Sequence, residues 1–305
     1  MSIAHTIQVE NLKKCYKSLT AIEDINFNVS KGELFGLIGP DGAGKTTIFR
    51  ILTTLLIQDE GSAIVEGYDV VKGYRKIRNL MGYMPGRFSL YLDMTVRENL
   101  EFFATIFGTT IEENYHLIKD IYQQIEPFKD RLAGNLSGGM KQKLALSCAL
   151  IHKPSVLVLD EPTTGVDAVS RKEFWDMLIK LKKQGITILV STPYMDEAEL
   201  CDRVGLIQNG RMLTINKPDQ IVKNFPKKLW EATSANIYQL LQDLKEQENL
   251  YSVYPFGSKV HFTKDENLTE TAEIKAFLTN KGHESVDIEE VTPTIEDCFI
   301  ELMTE

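Results

Sequence analysis

Short apolar runs alternate with segments of mixed polarity along most of the chain. Three runs are almost wholly apolar: residues 34–38, 156–159 and 186–190. Runs of this kind are typical of strands that are buried on both faces of a parallel sheet. Between them, apolar residues recur at helical spacing, as at Ile48, Ile51, Leu52 and Leu55. The alternation predicts an α/β fold whose first helix reaches Leu55.

Local signals place the ends of other elements. Thr95 and Glu98 have the spacing of a capping box, which predicts a helix that begins after Thr95. Asn209-Gly210 lies between the apolar segments 204–207 and 212–215, a pattern typical of a tight β-hairpin.

Length and charge distribution predict two domains. The chain has 305 residues, more than one compact domain usually holds. Residues 226–305 contain 7 basic and 16 acidic residues and carry the whole net charge of −9, whereas 27 basic and 27 acidic residues balance within 1–225. The pattern of the second segment predicts strand, helix, strand, strand, helix, strand and helix, hence a small α+β domain.

Composition excludes several classes of protein. A net charge of −9 disfavours binding to nucleic acid through bulk positive charge. No apolar run approaches the roughly 18–20 residues that span a bilayer, and residues 1–5 lack the features of a signal peptide. The four cysteines lie far apart, which favours free thiols in a reducing compartment. We therefore expect a cytoplasmic protein with no nucleic-acid partner.

A complete phosphate-loop motif follows the first apolar run. It comprises Gly39, Pro40, Asp41, Gly42, Ala43, Gly44, Lys45 and Thr46. The glycines let backbone N–H groups face a β-phosphate, and the N-terminus of the following helix adds partial positive charge. Lys45 is suited to bind the β- and γ-phosphates, and the Thr46 hydroxyl to coordinate Mg²⁺. The alternative is a glycine-rich turn with a surface lysine, and the flanking strand and helix argue against it.

Two adjacent acids, Asp160 and Glu161, follow the apolar run at 156–159. A carboxylate at the carboxyl end of a buried strand beside a phosphate loop is placed to hold Mg²⁺ and its water shell. Neighbouring side chains on a strand point to opposite faces, so Asp160 is predicted to serve the metal and Glu161 an attacking water. The alternative is that the two acids only cap a turn.

The segment 136–142 reads LSGGMKQ and lies between the phosphate loop and the acidic strand. Here the chain resembles the ATP-binding cassette of ABC transporters, whose signature is LSGGxxQ. Ser137 is predicted to cap a helix that begins at Gly138 and so to leave N–H groups free at an anion site. The resemblance implies that Ser137, Gly138 and Gly139 bind the γ-phosphate of ATP held by the other cassette of a head-to-tail dimer.

The resemblance covers roughly residues 5–222 and implies further nucleotide contacts. Tyr16 stands where the family stacks an aromatic ring on adenine, and ordinary packing is the alternative. Thr47 is included with Thr46 among the nucleotide-binding residues, and Asp167 lies in the loop that crosses the dimer interface.

The implied fold is α/β. A P-loop cassette with a mixed sheet is expected at 1–225, with a helical subdomain at about 88–152, followed by the small acidic α+β domain at 226–305.

Three segments, 82–91, 194–199 and 294–299, resemble ATPase subunits of ABC-2-type exporters of the drug-efflux and daunorubicin-resistance kind. That resemblance implies an ATP-hydrolysing, Mg²⁺-dependent motor subunit. It would dock on a separate ABC-2-type membrane permease at the inner face of the cell membrane and pair with a second copy or another cassette. The chain also resembles one half of the fused double-cassette members. Residues 86–91, with Phe88, Leu90 and Tyr91 expected at the surface, are the predicted docking surface.

Two positions depart from the family pattern. Gly86 stands where the family has a glutamine that senses Mg²⁺, and Pro193 where it has a histidine that contacts the γ-phosphate. Neither residue has a side-chain donor, and proline also lacks a backbone N–H. ATP binding is predicted to persist, whereas slow hydrolysis would fit the degenerate-site partner of a heterodimer. Normal hydrolysis through Glu161 is the alternative.

Two other functions were weighed against the exporter motor. Gly86 and Pro193 favour a binding-only regulatory cassette, whereas Glu161 argues against it. A non-transport ABC ATPase of translation or DNA repair is disfavoured, because the chain has one phosphate loop, no long heptad run and no CxxC pair. A kinase or GTPase has no role for the LSGG motif.

Overall fold

The computed structural model describes residues 5–264 and 270–304. The chain forms two compact units that divide between Pro218 and Asp219, whereas the sequence placed the boundary after residue 225. The earlier division follows from the helix Pro218–Lys223, since the Ile221 carbonyl in that helix accepts a hydrogen bond from Cys298 Sγ of the second unit. The prediction about a signal peptide rests largely on residues 1–4, which lie outside the described residues.

The first unit contains both strands and helices. Its strands are β1 (His5–Tyr16), β2 (Leu19–Ser30), β3 (Leu34–Ile38), β4 (Glu60–Val65), β5 (Tyr68–Asp69), β6 (Met81–Met84), β7 (Val156–Asp160), β8 (Thr187–Thr192), β9 (Arg203–Gln208) and β10 (Arg211–Asn216). Its helices are α1 (Lys45–Leu52), α2 (Tyr74–Leu80), α3 (Val96–Ile106), α4 (Ile111–Tyr122), α5 (Gly138–Leu150) and α6 (Ala168–Lys183). Short 3₁₀ helices span Glu126–Phe128, Ala133–Asn135 and Met195–Leu200.

A mixed sheet of order β10-β9-β3-β8-β7-β6 forms the centre of this unit. All its neighbouring pairs are parallel except β9 and β10, which form the predicted antiparallel hairpin. Every residue of β3, β7 and β8 is buried, as the apolar runs predicted. Because β3, β7 and β8 run parallel, their carboxyl ends meet at one edge, where the phosphate loop and the two acids follow. A second, antiparallel sheet has the order β2-β1-β4-β5.

Helix boundaries agree with the sequence in one case and differ in another. Thr95 caps α3 with a full capping box, in which Glu98 N donates to Thr95 Oγ1 at 3.2 Å. Helix α1 ends at Leu52, and Leu55 is exposed, so the prediction that this helix reaches Leu55 was wrong. The cause is Thr54, whose φ of 63° is left-handed and cannot continue an α-helix.

The second unit has a strand-helix-strand-strand-helix-strand core, as predicted. After α7 (Pro218–Lys223), its elements are β11 (Leu229–Thr233), α8 (Ile237–Lys245), β12 (Leu250–Phe256), β13 (Lys259–Lys264), α9 (Thr271–Asn280), β14 (Asp287–Val291) and α10 (Ile295–Thr304). The antiparallel sheet has the order β12-β13-β11-β14, which is the ferredoxin-like arrangement. Residues of α8 and α9 pack with the sheet in one apolar core.

Within the described residues, no helix is both long enough and apolar enough to cross a membrane.

Candidate functional site

The phosphate loop curls tightly between β3 and α1. Gly42 and Gly44 have φ of 81° and 106°, values that favour glycine. A Cβ at Gly44 would lie 2.8 Å from the Ala21 carbonyl oxygen, and one at Gly39 would lie 2.2 Å from that of Ile207. The loop therefore depends on glycine both for its backbone conformation and for its close approach to other segments of the same chain.

Lys45, near the end of this loop, is buried, with 3% of its surface exposed. Its Nζ donates to the carbonyl oxygens of Gly39 at 2.7 Å and Pro40 at 3.0 Å. The same Nζ lies 3.0 Å from Glu161 Oε1. These are exchangeable contacts, because a phosphate oxygen is a better partner for an ammonium than a neutral carbonyl is.

The two acids occupy different environments. Asp160, the last residue of β7, is 2% exposed, and Ser191 Oγ donates to its Oδ1 at 2.7 Å. Glu161 N donates to the same Ser191 Oγ at 3.0 Å. Glu161 has a left-handed φ of 50°, so the chain turns sharply at the strand end and its carboxylate reaches Lys45. Ser191 is thus a residue that sequence reasoning missed, since it directly follows the apolar run 186–190 and was assigned no role of its own.

A cavity of about 340 Å³ opens beside Lys45. It is lined by Leu19, Thr20, Ala21, Gly42, Ala43, Gly44, Lys45, Thr46, Thr47, Glu161 and Asn209. The cavity thus includes the predicted residues 42–47 and Glu161, together with four that had no predicted role in binding. Gly39, Pro40 and Asp41 do not line it. Tyr16 does not line it either, although it pairs with Leu19 across the β1–β2 turn and is 41% exposed.

The signature residues Ser137, Gly138 and Gly139 lie near Asp167 and do not line this cavity. Ser137 caps α5 by accepting a hydrogen bond from Met140 N at 3.4 Å. Asp167 caps α6 by accepting from Ser170 N at 3.0 Å, and this hydrogen bond holds the pKa of Asp167 below its usual range. A Cβ at Gly139 would lie 2.7 Å from Ser170 Oγ, and one at Gly138 would lie 3.7 Å from the carbonyl of Gly165. The starts of α5 and α6 therefore form one surface.

Of the two positions that depart from the family pattern, Gly86 lies beside Asp160. A Cβ at Gly86 would lie 3.1 Å from the Asp160 carbonyl oxygen. Pro193 directly follows Thr192, the end of β8. In the predicted docking surface, Tyr91 is 45% exposed and Phe88 is half-buried, but Leu90 is buried. The expectation that Leu90 is exposed was wrong, because only 8% of its surface is exposed.

The residues present fit Mg²⁺ only in combination with a phosphate ligand. Thr46 supplies a hydroxyl at the cavity and Asp160 a buried carboxylate, both hard oxygen donors. Among the described residues, no cluster of three or more His, Cys, Asp or Glu side chains could hold a metal ion. Mg²⁺ usually uses one or two protein ligands plus phosphate oxygens and water, which matches this donor set. Fold and site together define a P-loop nucleotide-binding protein.

Comparisons with known proteins narrow this class. The sequence profile of the ABC transporter family matches residues 22–164. The chain is 37% identical over 303 residues to "Probable multidrug ABC transporter ATP-binding protein YbhF" of Escherichia coli (strain K12), covering 97% of the chain and 52% of that relative. It is 33% identical over 300 residues to "Nod factor export ATP-binding protein I" of Rhizobium sp. (strain N33), covering 97% and 96%. The chain thus spans about half the length of YbhF.

A solved structure, "Structure of ATP binding subunit of ABC transporter", superposes with a TM-score of 0.66 at 28% identity, covering 72% of this chain and 93% of that one. A dimeric ATP-binding cassette in a post-hydrolysis state, bound to ADP and Pi, gives a TM-score of 0.63 at 25% identity, covering 69% and 98%. The chain therefore belongs to the ABC transporter family of ATP-binding proteins, and the predicted α/β cassette fold is confirmed.

Proposed function

We propose that this chain binds and hydrolyses ATP as the motor subunit of an export complex. The observation that carries the proposal is the cavity beside Lys45, with Glu161 at its wall and Asp160 at the adjoining strand end. Relatives named for multidrug transport, linearmycin resistance and Nod factor export support the direction of transport.

The chemistry follows from the positions of these side chains. The Lys45 ammonium exchanges its carbonyl partners for the β- and γ-phosphate oxygens, and the backbone N–H groups at the start of α1 face the β-phosphate. Thr46 and Asp160 would hold Mg²⁺, which neutralises phosphate charge when bound. Once Lys45 has moved to phosphate, the Glu161 carboxylate is free to orient and deprotonate a water. Leu19 at the cavity wall, with Tyr16 paired to it across the β1–β2 turn, would offer an apolar surface to the adenine ring.

A complete site needs a second cassette. Ser137, Gly138, Gly139 and Asp167 lie together but outside the cavity, so a single chain does not close its own nucleotide site. We propose a head-to-tail dimer in which they reach the partner's γ-phosphate. The partner is a second copy or, given Gly86 and Pro193, a different cassette with a complete site. A separate ABC-2-type permease would hold this dimer at the inner face of the cell membrane, near Tyr91.

Phosphate release from Mg²⁺-ATP by the purified chain tests the activity, with the same sample in excess EDTA as its control. A turnover that requires Mg²⁺ supports the proposal. ATP-dependent dimers without any turnover would support the second candidate, a binding-only regulatory cassette, which the absence of side-chain donors at Gly86 and Pro193 favours. Copurification with a membrane protein tests the export role.

A further inference from the structure

A single buried carboxylate joins the two loops that flank the proposed reaction site. Glu197, in the 3₁₀ helix Met195–Leu200, is 3% exposed. Its Oε1 and Oε2 accept hydrogen bonds from Thr163 Oγ1 at 2.8 and 3.1 Å. Its Oε2 also accepts from Thr192 Oγ1 at 2.5 Å. Thr163 follows Glu161-Pro162, and Thr192 directly precedes Pro193, so Glu197 ties the loop after the acids to the loop at the end of β8.

The connection continues on both sides. The Thr192 carbonyl accepts from Gly39 N at 3.3 Å, which links the β8 loop to the phosphate loop. On the other side, Val166 N donates to the Thr163 carbonyl at 3.2 Å, and the next residue, Asp167, caps α6. A continuous set of hydrogen bonds therefore runs from the phosphate loop through Glu197 to the surface that carries Asp167.

A nearby cation reduces the cost of burying this carboxylate. Arg171 of α6 lies 4.0 Å from Glu197 Oε1 and 3.6 Å from Asp196 Oδ2. Its guanidinium carbon also lies 4.6 Å from the centre of the Tyr194 ring. Buried carboxylates are costly unless they are both paired and hydrogen-bonded, and Glu197 has two hydroxyl donors and one cation. A buried carboxylate that joins two loops beside a reaction site is a candidate for a functional role.

We propose that Glu197 is a positioning residue for ATP hydrolysis: through Thr163 and Thr192 it locks the loop after Glu161 to the loop at Pro193, so that both move as one body. This inference rests on the proposed ATPase function. With proline at 193, that loop has no side-chain donor for the γ-phosphate, so its hydrogen bonds to Glu197 and Gly39 set its position. Misplacement of reacting groups by about 1 Å is enough to reduce a rate about a hundredfold.

The test uses the full-length chain and a matched pair of variants, Thr163→Val and Thr163→Ser. Valine has a similar shape but no hydroxyl, whereas serine keeps the donor. We expect Thr163→Val to lower kcat by about tenfold to a hundredfold with an ATP dissociation constant within about threefold of the wild type. Thr163→Ser should keep kcat within about threefold of the wild-type value. Glu197→Ala should show the same loss, and Glu199→Ala, an exposed change on the same short helix, should show none.

The double variant Thr163→Val with Glu197→Ala decides whether the residues act together. If Glu197 works through Thr163, the double variant loses no more activity than Glu197→Ala alone. Multiplied losses, equal losses in the serine and valine variants, or wild-type kcat in Thr163→Val would each overturn the positioning role while leaving the ATPase function intact. A wild-type chain without turnover would overturn both proposals.

Discussion

Lys45 Nζ lies 3.0 Å from Glu161 Oε1, so the cation proposed to bind phosphate is paired with the carboxylate proposed to activate water. Two carbonyl oxygens take up the rest of the ammonium's hydrogen-bonding capacity, since lysine has three donor hydrogens. We expect ATP phosphate to compete with Glu161 for Lys45, so that nucleotide binding would also free the Glu161 carboxylate.

The first prediction is that Glu161→Gln binds ATP more tightly and fails to hydrolyse it. The change removes the charge that competes with phosphate for Lys45. A pair of this kind contributes about 1 kcal/mol, so affinity should rise roughly fivefold. Loss of the base should lower turnover at least about a hundredfold. Equilibrium binding of ATP, phosphate release and light scattering measure the three quantities, and a closed dimer should persist in Mg²⁺-ATP.

The exposed change Glu10→Gln is the control for Glu161→Gln and should leave all three quantities unchanged. A Glu161→Gln variant that stays monomeric in saturating Mg²⁺-ATP would count against the assigned role. Unchanged turnover in Glu161→Gln would show that another residue acts as the general base.

The second prediction is that Lys45→Ala loses ATP-dependent dimerisation and turnover. Without the ammonium, no buried cation at the cavity offsets the β- and γ-phosphate charge, and affinity for ATP should fall at least about tenfold. The measurement is ATP binding followed by size analysis in Mg²⁺-ATP. Lys72→Ala, an exposed lysine outside the cavity, is the control. Wild-type affinity and turnover in Lys45→Ala would refute the assignment of the site.

The sequence predicts the strands that carry this site better than the side-chain hydrogen bonds that link its loops. β3, β7 and β8 were predictable, because strands buried on both faces leave apolar runs in the sequence. Glu197 was not, since a segment reading Asp196-Glu197-Ala198-Glu199 has the polarity of a surface. Its burial arises only when Thr163 and Thr192, distant in sequence from each other, meet at the sheet edge. Ser191 was missed because its contacts with Asp160 and Glu161 arise only when β7 and β8 pair in the sheet.

The third prediction concerns the missing donor at 193. Pro193→His should raise single-turnover hydrolysis at least about tenfold, a modest share of the roughly 2.7–4 kcal/mol that one preorganised donor contributes. Adding Gly86→Gln to Pro193→His should raise the hydrolysis rate further, but by less than the roughly tenfold gain expected from Pro193→His alone. A Cβ at position 86 would lie 3.1 Å from the Asp160 carbonyl oxygen, so the backbone at Asp160 must shift by a few tenths of an ångström to admit it.

Hydrolysis is measured in the homodimer or in a heterodimer whose partner site has been silenced. Pro193→Ala is the matched control, because it introduces the same backbone N–H as Pro193→His but no side-chain donor. If wild type, Pro193→Ala and Pro193→His all turn over equally, position 193 is neutral and the heterodimer reading loses its main support.

The fourth prediction concerns the pH dependence of the second unit. His261 of β13 is buried, and its Nδ1 lies 2.7 Å from Asp297 Oδ1 while its Nε2 lies 3.3 Å from Glu231 Oε2. Burial lowers the pKa of His261, but the hydrogen bonds and charges of Asp297 and Glu231 outweigh it and raise that pKa above the ordinary 6.5. Burial raises the pKa of Asp297. The hydrogen bonds to its carboxylate, of which that of His261 has the largest effect, outweigh burial and hold this pKa below 3.8.

The sign of each contribution to stability follows from linkage. A raised histidine pKa stabilises the fold fully below pH 6.5, and this stabilisation is lost as pH rises through the raised value. The lowered pKa of Asp297 stabilises the fold above pH 3.8, and this stabilisation is lost as pH falls through the lowered value. The free energy of unfolding of the second unit should therefore decline on the alkaline side of 6.5, and His261→Gln, which cannot titrate, should remove that decline.

The chain offers a clean readout for this unit, because its two tryptophans are Trp175 in α6 and Trp230 in β11. In a Trp175→Phe background, the fluorescence of Trp230 follows urea unfolding of the second unit in the full chain. The slope of unfolding free energy against pH between 6 and 9 is compared for His261 and His261→Gln, with the exposed His116→Gln as control. Equal slopes in all three proteins would contradict the raised pKa, because they would show that His261 binds the same number of protons in the folded and unfolded states.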